Sequence, residues 1–253
     1  MNSIHDFFQE NGFYHARGVF SPDEIRELEL DFDRLVAQLQ SGEEDANARW
    51  RGAEMERLDS GASEIIHTHN VQNFSARWHL ALLHKGFLDI VEQLIGADIV
   101  LHHSKLFQKP PEKGSPFPMH QDWLYFPTEK DSMLAGVIHV SDATDEMGCL
   151  RVVPGSHKLG RVENTMGDAE SDLLKQHPIE SAQIVECAAG DVVFFCYFTL
   201  HGSMPNRSQR TRKTVLAQMH AGDDRLENND AHTNARLVLR GWNHAISRSF
   251  AGL

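Results

Sequence analysis

Between Ile99 and His220 the chain breaks into short apolar segments, and this constrains its fold more than any other feature. Ile99-Val100-Leu101 opens a segment that runs towards Phe107-Gln108. Leu134 to Val140, Cys149 to Val153, Ile184 to Glu186, Asp191 to Tyr197 and Thr214 to His220 follow. Each has the length and apolar character of a strand, and the intervening Asp, Gly, Pro, Ser and Asn residues make turns. Pro110, Pro111, Gly114, Pro116 and Pro118 prescribe one tight connection. Most of these segments have no helical pattern between them. The expectation is an antiparallel sandwich or barrel, not a doubly wound sheet.

Helices come earlier. Ser21-Pro22-Asp23-Glu24 is a helix start, with a Ser cap, Pro at the first helical position and Glu at the third. Ile25, Leu28, Phe32, Leu35, Val36 and Leu39 continue it at helical spacing, and Ser41-Gly42 closes it. Leu82, Leu83, Phe87, Ile90, Val91 and Leu94 suggest a second helix that ends near Gly96. The polar stretch 42–75 reads either as a loop or lid over a substrate or as a surface excursion. Before the first helix, Phe7, Phe8, Phe13 and Phe20 are available to cover a core. Residues 223–233 read as an irregular loop, and 236–249 as a last strand or short helix. The whole chain, 1–253, is expected to be one domain, with N-terminal helices over about 21–95 packed on a β core over about 98–221.

Composition excludes some partners. The formal charge of −12 argues against non-specific binding to nucleic acid or anionic membranes, which wants excess Lys and Arg. No run approaches the length of a membrane span, and the start has no basic region followed by an apolar core. Cys149, Cys187 and Cys196 are odd in number and lack C-x-x-C spacing, so they read as small apolar residues in a reducing compartment. A cytoplasmic protein, monomeric or a simple homo-oligomer and acting on a small molecule, is expected.

His120 and Asp122 stand at i and i+2 in Met119-His120-Gln121-Asp122-Trp123. In a strand that spacing turns both side chains to one face. Joined by His201 from a distant segment, they make the two-histidine, one-carboxylate set that binds non-haem Fe(II). The plainer alternative is a surface pair and a core histidine.

Three blocks carry a resemblance. They are Lys109-Pro110-Pro111 with His120-Gln121-Asp122-Trp123; Gly148-Cys149-Leu150-Arg151-Val152-Val153-Pro154-Gly155-Ser156-His157-Lys158; and His201-Gly202-Ser203 followed by Pro205-Asn206-Arg207-Ser208, Arg210, Arg212 and Lys213. In this order, across about half the chain, they resemble the phytanoyl-CoA dioxygenase family of Fe(II)- and 2-oxoglutarate-dependent oxygenases. The resemblance implies a mainly β fold with flanking helices, the double-stranded β-helix or jelly roll of cupin-like proteins. It implies Fe(II) as the metal, with 2-oxoglutarate and O2 as co-substrates.

By that resemblance the iron ligands fall on His120, Asp122 and His201. The family arginine eleven residues after the distal histidine is Arg212, expected to grip the far carboxylate of 2-oxoglutarate, with Ser203 donating to the same group. His103 matches a position that contacts the co-substrate in a relative; the alternative is a histidine that braces the site or faces the surface. Phe107, Met119, Trp123, Tyr125, Phe126, Gln218 and His220 are candidates for the substrate pocket or, equally, for core packing. His157 is expected to be structural. Halogenating relatives have Gly or Ala where Asp122 stands, so Asp122 favours hydroxylation. The expected reaction is hydroxylation of an unactivated carbon of a small metabolite or natural-product intermediate, with release of succinate and CO2. The alternatives are a non-catalytic jelly-roll metal-binding protein, or desaturation, epimerisation or cyclisation at the same site.

Overall fold

The computed structural model describes residues 3–59, 63–163, 165, 171–227 and 235–247. Two antiparallel sheets face each other. Strands β1 (Phe13–Ala16), β2 (Ile66–His69), β3 (Ile99–Lys109), β5 (Leu134–His139), β8 (Val192–Cys196), β10 (Arg212–Ala221) and β11 (Leu237–Arg240) form the larger sheet in the order β1-β8-β5-β10-β3-β11, with β2 also paired to β3. Strands β4 (Phe117–His120), β6 (Leu150–Val152), β7 (Gln183–Val185) and β9 (His201–Ser203) form the smaller sheet in the order β4-β9-β6-β7. The alternation between sheets is the antiparallel sandwich expected from the strand pattern, in the jelly-roll form that the family resemblance implied. Arg236 to Ser249 was open between strand and helix, and its described part contributes β11. The expected loop 223–233 lies partly outside the described residues.

The α-helices are α1 (Ile4–Asn11), α2 (Pro22–Gln40), α3 (Ala53–Leu58), α4 (Ala76–Leu82), α5 (Lys85–Ile95) and α6 (Asp172–Gln176), with short 3-10 turns at Val71–Asn73, Ser156–Leu159 and Ile179–Ser181. Ser21 caps α2 in a reciprocal box: Glu24 N–H donates to Ser21 Oγ, and Ser21 N–H donates to Glu24 Oε2. Ser21→Ala is therefore expected to cost about 1 kcal/mol, read as a lowered Tm with unchanged ligand binding. The apolar run expected to give one helix to Gly96 gives two. The first ends at Leu83, and His84 Nδ1 then accepts from Phe87 N–H and starts α5. Helix α1, which the mixed composition of its segment concealed, is capped by a Ser3–Asp6 box.

The strand period of two divides the large sheet into two working faces. Val192 and Phe194 of β8, Ile138 of β5, and Val215 and Ala217 of β10 pack outward against Ile25, Leu28 and Phe32 of α2, Trp78 of α4 and Phe87 and Val91 of α5. Lys213, also facing outward, pins α2 through Glu29 at 2.8 Å and Asp33 at 2.7 Å. The alternate residues Ala135, Val137, Val193 and Phe195 turn inward and meet Cys149, Leu150, Val152, Val185 and Cys187 from the smaller sheet side. Cys149 and Cys187 thus pack as apolar residues, and all three cysteines are free thiols. The inter-sheet space is filled at this end and open at the other. No helix among the described residues is long and apolar enough to cross a membrane.

Candidate active site

The open end is a cavity of about 240 Å³ between the sheets. His120, the last residue of β4, is in direct register with His201, the first residue of β9. Their rings lie 4.2 Å apart, centroid to centroid. Asp122 Oδ1 is 3.3 Å from His120 Nε2 and 3.7 Å from His201 Nε2. The strand geometry expected across all three residues stops at His120. Asp122 sits in the bend beyond β4, its N–H donating to Tyr197 O at 2.9 Å. Gln121 holds that bend from the other side, donating through Nε2 to Phe198 O at 2.6 Å and Gly160 O at 3.1 Å. Pairing and the braced bend together achieve the convergence that alternation alone would have given.

Both imidazoles are oriented from behind by a backbone carbonyl. His120 Nδ1 is 2.8 Å from Pro118 O, and His201 Nδ1 is 2.9 Å from Thr199 O. A carbonyl can only accept, so each Nδ1 donates to it and each Nε2 is left facing Asp122. Burial pulls the His201 pKa down to about 4, with the neighbouring His120 adding to the effect. His201 is therefore neutral at physiological pH. Burial pushes Asp122 up, but His201 first and then His120 outweigh it and hold the carboxylate at about 2. Two imidazole nitrogens and one carboxylate oxygen, all within 4.8 Å of one another, are the donor set that Fe(II) takes.

Across the cavity, β10 sends Arg212, Thr214, Leu216 and Gln218 inward at intervals of two. Arg212 is 7% exposed, its Nη1 donates to Gly148 O, and its Nε is buried without a partner. A buried guanidinium with an unsatisfied N–H wants an anion. A 2-oxo diacid held at the triad would need a cation for its second carboxylate, and Arg212 lines the same cavity, so the residues fit such a co-substrate. The neighbouring cations are occupied elsewhere: Arg210 is exposed beside Asp142, and Lys213 holds α2. Ser203, two residues after His201, also lines the cavity.

The middle sequence block acquires a role here. Gly148 has φ +67°, and a Cβ there would lie 2.1 Å from Met204 O. Its carbonyl meets the Arg212 guanidinium. Gly148→Ala is expected to destabilise the fold by more than about 1 kcal/mol and to weaken 2-oxoglutarate binding, measured by thermal unfolding and by titration. Ser156 Oγ accepts from Leu200 N–H at 2.8 Å, bracing the approach to His201. His157 donates through Nε2 to Gln9 O at 3.0 Å and stays away from the cavity.

Of the remaining sequence candidates, Phe107, Tyr125 and Gln218 line the cavity, and neither polar atom of the Gln218 amide has a partner. Five do not line it. His103 is fully buried, its ring set beside those of His69, His102 and Phe126, so it contributes to the wall from behind. Met119 points into a separate cluster with Leu174, Ala182 and Leu200. Trp123 donates through Nε1 to Val162 O at 3.1 Å and lies under Arg161. His220 keeps the alternation of β10 but lies one step beyond Gln218, past the residues that line the cavity, and its Nδ1 donates to Ala221 O. Phe126 is in the Met133–Tyr197–Phe198 cluster. The residues that sequence reasoning missed are Trp50, His67, His69, Lys105 and Phe117. Trp50 comes from the polar 42–75 stretch, and its ring lies 4.7 Å from that of His120. His67 and His69 belong to β2, which a four-residue strand inside that stretch gave little signal to find.

Two imidazoles and one carboxylate on the inner wall of a double-stranded β-helix, facing a buried guanidinium, define the class of iron- and 2-oxoglutarate-dependent oxygenases. A sequence profile of the phytanoyl-CoA dioxygenase (PhyH) family matches residues 8–214, and the chain belongs to that family. It is 26% identical over 230 residues to the peroxisomal phytanoyl-CoA dioxygenase of Mus musculus, covering 86% of this chain and 67% of the mouse protein. It is 26% identical over 231 residues to a probable alpha-ketoglutarate-dependent hypophosphite dioxygenase of Stutzerimonas stutzeri, covering 85% of this chain and 77% of that one. The crystal structure of the epimerase SnoN in complex with Fe3+, alpha ketoglutarate and nogalamycin RO superposes with a TM-score of 0.72 at 21% identity, covering 94% of this chain and 97% of SnoN. That likeness shows a shared fold. The chain is thus an enzyme of the Fe(II)/2-oxoglutarate-dependent class, with iron, 2-oxoglutarate and O2 as its cofactor and co-substrates.

Proposed function

We propose that this enzyme hydroxylates an unactivated carbon of a small metabolite or natural-product intermediate. The observation that carries the reading is the intact Asp122 carboxylate between two Nε2 atoms, opposite a buried Arg212 whose Nε has no partner. Ferrous iron with 2-oxoglutarate and O2 supplies the oxidation of the C–H bond, and 2-oxoglutarate leaves as succinate and CO2. His120, Asp122 and His201 would hold the metal on one side and leave the opposite side to the co-substrates. Arg212 and the Ser203 hydroxyl would fix the far carboxylate. Trp50, Tyr125, Phe107 and Phe117 form an aromatic wall that would exclude water and hold the carbon skeleton. His67, His69 and Lys105 add a polar edge to the same wall. The cavity of about 240 Å³ is below the roughly 300–1,000 Å³ usual for ligand sites, which favours a small substrate.

The test is a metabolite screen that reads 2-oxoglutarate-dependent succinate formation, followed by mass analysis of the organic product. A gain of one oxygen is the expected result. A loss of two hydrogens would indicate desaturation or ring closure, and an unchanged mass would indicate epimerisation. Either outcome replaces the hydroxylation reading while leaving the site intact.

A further inference from the structure

Lys109, the first residue of the Lys-Pro-Pro turn, has no part in the site as described so far. It stands directly opposite Arg212 in the pairing of β3 with β10. By alternation it shares the inward face of β3 with Lys105 and Phe107, both of which line the cavity. Like charges directly opposed on one face destabilise a strand pair, and Lys109 is only 2% exposed. No carboxylate offsets either cation among the described residues. Lys109 Nζ donates to Ser203 Oγ at 2.7 Å and to Met204 O at 2.9 Å, and lies 5.4 Å from the centre of the Phe117 ring. Among the described residues Arg212 donates only to the Gly148 carbonyl. Two buried cations held side by side with no counter-charge are an arrangement that an arriving anion relieves.

The contact with Ser203 has a directional consequence. A hydroxyl oxygen that accepts from an ammonium keeps its own hydrogen for another partner. The Ser203 hydroxyl has no acceptor among the described residues, and Ser203 lines the cavity. We propose that Lys109 is a positioning residue for the far carboxylate of 2-oxoglutarate, supplying a second positive charge behind Ser203 and turning the Ser203 hydroxyl hydrogen towards that carboxylate. The proposal rests on the 2-oxoglutarate reading of the Arg212 end. Burial first, and Arg212 second, hold the Lys109 ammonium well below the ordinary lysine range, as expected of a cation built in without its partner. The consequence is selectivity. The site favours a 2-oxo acid with a second carboxylate over one that ends in an uncharged group.

The experiment uses the full chain loaded with Fe(II) under anaerobic conditions, titrated calorimetrically with 2-oxoglutarate and with 2-oxovalerate, in which a methyl replaces the far carboxylate. Wild-type protein is expected to prefer 2-oxoglutarate. Lys109→Met is expected to weaken 2-oxoglutarate by at least about 30-fold, to leave 2-oxovalerate within about 3-fold, and to bind iron as before, because only the diacid meets the lost charge. Lys109→Gln keeps a donor for Ser203 and Met204 and serves as the same test if the Met variant does not fold. A variant that weakens both acids equally, or neither, overturns the proposal while leaving the 2-oxoglutarate reading in place. Wild-type protein with no affinity for either acid overturns both.

Discussion

Asp122→Ala is expected to lose turnover entirely and to bind Fe(II) at least about 100-fold more weakly, since changing a mere hydrogen-bond partner of a ligand already costs about 10–100-fold. Asp122 is the one anion among the three converging groups. Its removal leaves two imidazoles facing each other at 4.2 Å between centroids, with no carboxylate to offset the charge of a metal. The Asp122 side chain takes part in no hydrogen bond that holds the bend together. That work is done by its backbone N–H and by Gln121, so the variant should fold. Metal content by absorption spectroscopy, alongside Tm, separates loss of the ligand from loss of the fold. His120→Ala and His201→Ala are expected to behave alike, since their Nδ1 atoms hold only local carbonyls.

The second large effect belongs to Arg212. Arg212→Met is expected to weaken 2-oxoglutarate by at least about 30-fold and to leave Fe(II) affinity unchanged, because truncating one partner of a buried charge pair costs about 2–5 kcal/mol. The free protein should tolerate the change, and its Tm is expected to hold or rise. Arg212 is desolvated, faces Lys109 directly and makes one hydrogen bond, to Gly148 O, so its removal relieves a cost that only the anion repays. Anaerobic titration of the iron-loaded variant with 2-oxoglutarate measures the first claim, and thermal unfolding without ligand measures the second. Retained co-substrate affinity would show that Arg212 has another role.

The sequence made the main architecture legible because its signals are local. Turn residues between short apolar segments announced the two sheets, and Ser21 to Glu24 announced α2 to the residue. His120, Asp122, His201 and Arg212 were legible through their blocks, and the structure brings all four to one cavity. What was not legible depends on where the cavity ends and on distant packing. His220 was placed in the pocket by alternation from Arg212, but the cavity lining on β10 ends at Gln218, one step short of it. Met119 and Trp123 flank His120 and Asp122 in sequence, yet their side chains leave towards Leu174 and Val162. Trp50, His67 and His69 reach the cavity only because β2 joins the edge of β3, a pairing that no local pattern specifies.

The most direct single measurement is an anaerobic titration of 2-oxoglutarate into the Fe(II)-loaded protein, followed in the visible spectrum. If His120, Asp122 and His201 hold iron with the opposite side open, and Arg212 receives the diacid, a weak charge-transfer band will grow to saturation at one equivalent. Iron demonstrably bound, with no such band at any 2-oxoglutarate concentration, would contradict the assignment.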